Sequence, residues 1–139
     1  MEQAVSEYAI TSPDPNVGPY TITAPIEIPD EMVDELLSGA YFGAHYWATS
    51  LSTALEDEKG AITVGWYDDE SDPRSRQSKT ITRQALARGL AEIAFGKGAR
   101  SDLVAHARRA ILEKDAGEVD SEIADVALQY ALFDKIVFG

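Results

Sequence analysis

The 139-residue sequence contains no cysteine, which excludes disulfide bridges and thiolate metal sites and agrees with a reducing compartment. It has two histidines, His45 and His106. Neither belongs to an H-x-x-x-H pair or another zinc spacing, so a metal centre would need distant carboxylates. No Ser or Cys stands in a nucleophile motif beside either histidine. The phosphate-loop motif and the dinucleotide glycine fingerprint are also missing, and Gly96-Lys97-Gly98 reads as a helix stop and link. No run approaches the about 18 consecutive apolar residues of a membrane span. The N-terminus MEQAVSEYAI is acidic and has no apolar secretion-signal region. These absences predict no cofactor, no metal, no catalytic residue and no membrane contact. They point to a non-enzymatic, cytoplasmic protein.

Basic residues are scarce outside one segment. Residues 73–114 hold ten of the twelve Lys and Arg residues against three acids, a formal +7, whereas the other 97 residues carry two bases and 21 acids, a formal −19. The net charge of −12 repels phosphate at long range, so bulk nucleic-acid binding is disfavoured. Two readings of the +7 segment remain open: internal pairing with the acidic parts, or a local anion site in an acidic shell. Arg83, Arg88, Arg108 and Arg109 are the guanidinium groups that could grip a planar anion. Asp102 and His106, one helical turn apart, read as a surface pair.

What is present suffices for a core. With 45% apolar residues, a chain of this size buries roughly two-thirds of its unfolded surface. Residues 1–24 carry Pro13, Pro15 and Pro19 and read as a proline-rich N-terminal arm, with Tyr20-Thr21-Ile22-Thr23 as a short strand for a sheet edge. Residues 25–139 read as a single globular domain. Pro29 and Asp30 signal a helix over about 30–50, whose apolar positions run from Val33 through Trp47 and Leu51. Residues 61–67 alternate as a strand, and Lys79-Thr80-Ile81 begins a second. Three more helices follow: from Thr82 as N-cap to about Phe95, over about 102–114 with Ser101 as cap, and over 121–133 with Asp120 as cap. The fold class is α+β, about four helices packed with a small antiparallel β-sheet. The apolar end, Leu132 to Phe138, is too hydrophobic to stay free and is expected to pack on the core or on a second subunit.

The densest cluster is Gly39-Ala40-Tyr41-Phe42-Gly43-Ala44-His45-Tyr46-Trp47. Gly39 and Gly43, one turn apart, give the helix a side with almost no side chain. Either another helix or the sheet packs there, or the face admits a ligand or a partner chain, with Tyr41, His45 and Tyr46 at the rim.

Two stretches resemble a family of small phage and prophage proteins common in tailed phages of Gram-positive and actinobacterial hosts. Gly43-Ala44-His45-Tyr46-Trp47 matches the glycine and the Tyr-Trp pair of the family's helix signature. Asp125 to Phe133, followed by Ile136-Val137-Phe138-Gly139, is similar to its D-x-I-x-Q-x-x-L-F-G-E-[IV]-V-[YF]-G ending. Ala85 to Leu90 resembles an A-x-G-L helix between them, so the resemblance spans residues 30–139. The chain departs from the pattern at Tyr41, Phe42 and His45, where the family has Glu, Gly and Asn. The resemblance implies a shared fold and a phage origin, not a chemistry.

The expectation is therefore a phage-encoded accessory protein of the host cytoplasm, anti-CRISPR-like, that counters host defence by binding and blocking a host effector. Its partner would be a basic, nucleic-acid-binding protein met by the carboxylates Asp68, Asp69, Glu70 and Asp72. A homodimer or higher oligomer is expected, because Tyr- and Trp-rich helices favour interfaces. The alternative is a sponge that sequesters a nucleotide immune signal, with Tyr41, His45 and Tyr46 on the base and Arg83, Arg88 and Arg109 on phosphate.

Overall fold

Sequence signals and architecture can be matched element by element in the computed structural model, which describes residues 4–11, 21–53, 62–96 and 98–139. Tyr20, the acidic turn at 56–58, Lys59 and Lys97 lie outside the described residues.

The stretch read as an arm contains strand β1 (Ala4–Thr11) and the first half of β2 (Thr21–Ile28), which crosses the expected arm–domain boundary at 24/25. They pair antiparallel in a register that runs from Ala4 opposite Ile28 to Thr11 opposite Thr21. The strand expected at 20–23 falls in β2, which pairs in this separate two-stranded ribbon and not with the molecule's three-stranded sheet.

Helix α1 (Asp30–Gly43) follows Pro29, an N-cap in extended conformation with φ −61° and ψ 151°, and carries Asp30 and Glu31 at the positive end of its dipole. Met32, Val33, Leu36, Leu37 and Ala40 form its buried stripe. The helix ends about seven residues before the expected limit. The chain turns through Ala44–Trp47, where Trp47 N–H and Ala48 N–H both donate to Ala44 O, and Thr49 N–H then pairs with Gly65 O. Trp47 therefore lies in a turn and Leu51 in strand β3 (Ser50–Thr53), although both continue the helical apolar spacing.

Strands β3, β4 (Ile62–Tyr67) and β5 (Arg76–Ile81) form an antiparallel sheet in that order. Ile62 faces Ile81 and Tyr67 faces Arg76 across β4 and β5. Ile62, Val64 and Trp66 are buried, whereas every β5 residue except Ile81 is exposed.

Helices α2 (Arg83–Ala94), α3 (Ser101–Glu113) and α4 (Ser121–Phe133) follow. Thr82 and Asp120 cap α2 and α4 as the sequence suggests, accepting from Ala85 N–H and Ile123 N–H. Ser101 does not cap α3. It is the first helical residue, behind an Arg100 whose side chain makes no cap bond. A guanidinium has no acceptor with which to cap a helix, and that of Arg100 pairs with Asp102 and Glu122.

Helix α4 is the centre of the molecule, with all residues from Ile123 to Tyr130 buried. A helix apolar nearly all round needs neighbours on several sides, and α1 and α2 supply them through glycines. A Cβ on Gly43 would lie 2.3 Å from Ser121 O, and one on Gly89 would lie 2.2 Å from Ala127 O. The bare face of α1 is thus filled by α4, which is the packing reading of Gly39 and Gly43. The architecture is α+β, with four helices and a three-stranded antiparallel sheet among the described residues.

Candidate functional site

Two regions gather polar chemistry, one inside the molecule and one outside. The inner one begins with two polar residues one turn apart on the apolar helix α4. Asp125 is 5% exposed and Gln129 fully buried. Asp125 Oδ1 accepts from the Trp47 indole N–H at 2.6 Å and from Gln129 Nε2 at 3.1 Å, while Oδ2 accepts from the Tyr46 hydroxyl at 2.7 Å. Three donors thus satisfy a carboxylate that would otherwise be costly to bury.

The Gln129 amide reads the backbone beyond α4. Its Oε1 accepts from Val137 N–H at 2.9 Å and Phe138 N–H at 2.8 Å, and its Nε2 donates to Phe138 O at 3.1 Å. Phe138 stacks on Trp47 with ring centroids 4.9 Å apart and planes 4° apart, and Phe133 packs edge-on against Phe138, Trp47 and Trp66. The final apolar segment therefore packs on the core, through Phe133 and Phe138. Ile136 and Val137 remain exposed.

Tyr46 joins both halves of this network. The residue is 58% exposed, yet its hydroxyl points inward to Asp125. Burial first, and then the hydrogen bond to Asp125, push the phenol pKa up to about 12. Tyr41 lies edge-on to both Phe42 and His45, and Tyr41, Phe42 and His45 are all exposed.

The outer region is the loop after β4. Asp68 accepts from the Trp66 indole at 3.0 Å. Asp69 accepts from the backbone and hydroxyl of Ser71, which hold its carboxyl below the usual range. Asp72 caps a 3-10 turn at Pro73–Ser75 by accepting from Arg74 N–H and also pairs with the Arg74 guanidinium. Asp68, Asp69 and Glu70 are exposed and Asp72 is half-buried. The loop is thus a built turn in which Asp69 and Asp72 organise the backbone, Asp68 holds the Trp66 indole and Glu70 projects from it.

The arginines do not converge. Arg83 pairs with Asp34 at 2.9 Å and Asp30 at 3.5 Å, tying α2 to the start of α1. That is the opposite end of α1 from Tyr41, roughly 16 Å away along the helix. Arg109 pairs with Glu118 at 3.5 Å, and Arg108 donates to Ala94 O. Arg88 lines a cavity of ≈240 Å³ that also contains Glu92, Tyr130 and Asp134, so two carboxylates share its wall. Arg100 binds Asp102 and Glu122, and the first of these contacts does most to raise its pKa and to lower that of Asp102. Lys114 reaches Glu27 at 3.3 Å. Of the two readings of the +7 segment, internal pairing is the one the described residues display.

His106 does not pair with Asp102. Its Nε2 lies 3.0 Å from Glu118 and its Nδ1 3.7 Å from Asp120, because the 3-10 turn at Ala116–Glu118 folds back over α3. Among the described residues no group of three or more His, Asp or Glu could hold a metal ion. No helix among them is long and apolar enough to cross a membrane.

Residue chemistry alone did not single out Asp125 and Gln129. The available signal was their one-turn spacing on a helix otherwise apolar all round. No family model, curated protein or solved structure matches the chain.

Proposed function

We propose that the chain is a non-enzymatic binding protein whose acidic surface docks on a basic, nucleic-acid-binding face of a host defence effector and blocks it. In this reading it is a phage accessory protein acting in the host cytoplasm. The carrying observation is the uneven use of charge. Arg83, Arg100, Arg109 and Lys114 are paired with carboxylates of the same chain, while Glu31, Glu35, Asp68, Asp69 and Glu70 are exposed. An uneven surface of this kind steers a cationic partner and repels free nucleic acid. The phage and anti-defence part of the reading rests on the resemblance of Gly43–Trp47 and Asp125–Gly139. The dispersal of Arg83, Arg88 and Arg109 disfavours a nucleotide-sequestering pocket.

The test is a defence-inhibition assay in cells under phage challenge. Asp68→Asn combined with Glu70→Lys removes charge while keeping an acceptor for the Trp66 indole. This variant should lose inhibition with an unchanged melting temperature, because exposed carboxylates contribute little to stability. Arg88→Ala combined with Arg109→Ala should retain inhibition. The reverse outcome favours the nucleotide sponge, and full inhibition by both variants removes the proposal. The reading also includes self-association, supported by the exposed Tyr41, Phe42, Tyr46 and Leu112. Light scattering that gives a monomer at low ionic strength removes that part.

A further inference from the structure

We infer that the slot between Trp47 and Gln129 is an exchangeable peptide-binding site, whose ligand class is an extended segment carrying an aromatic residue followed by glycine. In this chain, residues 135–139 are its resident occupant.

The inference starts from what the slot reads. Three of its contacts, from both ends of the Gln129 amide, go to the main chain of Val137 and Phe138. Such contacts fix an extended backbone without regard to side chains, as in strand addition. One contact reads a side chain: the Trp47 ring stacked on Phe138, 4.9 Å between centroids. A third feature reads the next position. A Cβ at residue 139 would lie 2.9 Å from Tyr46 Oη, and the φ there is +106°, so only glycine fits without strain. Backbone, ring and glycine thus each have a separate reader.

The readers do not depend on the occupant for their placement. Asp125 orients Trp47 through the indole N–H, Tyr46 through the hydroxyl and Gln129 through Nε2. These three bonds persist if residues 135–139 leave, so the slot is preorganised.

The occupant is lightly attached elsewhere. It leaves α4 through Asp134, a non-glycine residue at φ 60°. Lys135, Ile136 and Val137 are exposed, and the segment's side-chain burial is concentrated in Phe138. A strap with one anchoring ring and four hydrogen bonds to its backbone, three from Gln129 and one from the Tyr46 hydroxyl, can open while the core stays folded.

The 139-residue chain with Phe138→Ala tests this, titrated with the blocked peptide Lys-Ile-Val-Phe-Gly and followed by tryptophan fluorescence. The resident strap competes as a tethered ligand, so the variant should bind the peptide at least about tenfold more tightly than the unaltered protein does. The peptides Lys-Ile-Val-Ala-Gly and Lys-Ile-Val-Phe-Ala should bind neither. Equal binding to both proteins, or no saturable change in a folded variant, overturns the inference. If the variant does not fold, native-state hydrogen exchange of the unaltered chain decides. Val137 and Phe138 amides should then exchange at least about 100-fold faster than that of Leu128 in α4, as expected of separate local opening. Equal rates would make the strap part of the global core and overturn the inference equally.

Discussion

Asp125 and Glu70 are both carboxylates, and the regions around them use acidity in opposite ways. Around Asp125 the chain surrounds one buried acid with an indole, a phenol and an amide, and that acid joins the turn after α1 to α4. Around Glu70 several acids share one exposed turn, where Asp69 and Asp72 are occupied by local backbone and Glu70 is left to solvent. A buried carboxylate with three donors is costly to remove, because the Trp47 indole then loses its partner in a dry environment and the other two donors each lose one of theirs. An exposed one costs almost nothing to change. The acids that a partner can reach are therefore not the acids that hold the fold, and stability separates the two classes before any partner is known.

The sharpest way to break that contrast is to remove the buried acid. Asp125→Ala leaves the Trp47 indole unpaired and the phenol and amide with their remaining contacts to Phe138 O, and should destabilise the protein by about 2–4 kcal/mol in urea denaturation. A loss below about 1 kcal/mol would mean that Asp125 is as dispensable as a surface acid. Next in size are the glycine contacts that let α4 come close enough for this network to form. Gly43→Ala and Gly89→Ala place a methyl group against backbone oxygens of α4. Each should cost about 1–3 kcal/mol, although alanine is the better helix former. A gain in stability would show that the helices have room to move apart.

Much of this architecture was legible in the sequence, and the illegible parts have common causes. Helices α2 and α4 announced themselves because Thr82 and Asp120 stand where their side chains reach the third N–H of an apolar-periodic run. The end of α1 did not. Trp47 and Leu51 continue the helical spacing, and only the partner at residue 125 explains why the chain turns at Ala44. Strand β3, Ser50–Thr53, is too short and polar to stand out. The N-terminal prolines hid a two-stranded ribbon, because the pairing of β1 with β2 is a property of two segments, not of either. The candidate site divides in the same way. The acid run at 68–72 is visible as composition, whereas the slot joins residues 46, 47, 125, 129 and 138 through tertiary contacts alone.

Smaller effects refine the contrast. The Tyr46 phenol is held protonated by burial and by Asp125, with a pKa of about 12 against an ordinary value of 10.0. The unfolded chain loses this proton first. The stabilisation is therefore complete below pH 10 and is lost as pH rises towards 12. Tyr46→Phe should flatten the fall in unfolding free energy across that window, and an unchanged pH profile would detach Tyr46 from the network. Smallest of all is Glu70→Lys, which should stay within about 0.5 kcal/mol of the unaltered protein in the same denaturation. A larger loss would move Glu70 into the structural class.

The central claim is that Asp125 binds the turn after α1 to α4 through the Trp47 indole, and a double-mutant cycle measures that link directly. Unfolding free energies of Trp47→Phe, Asp125→Ala and the double variant should reveal a coupling of about 1 kcal/mol or more, because either single change already breaks the bond. Additivity within about 0.5 kcal/mol would contradict the account, since residues that do not interact simply sum.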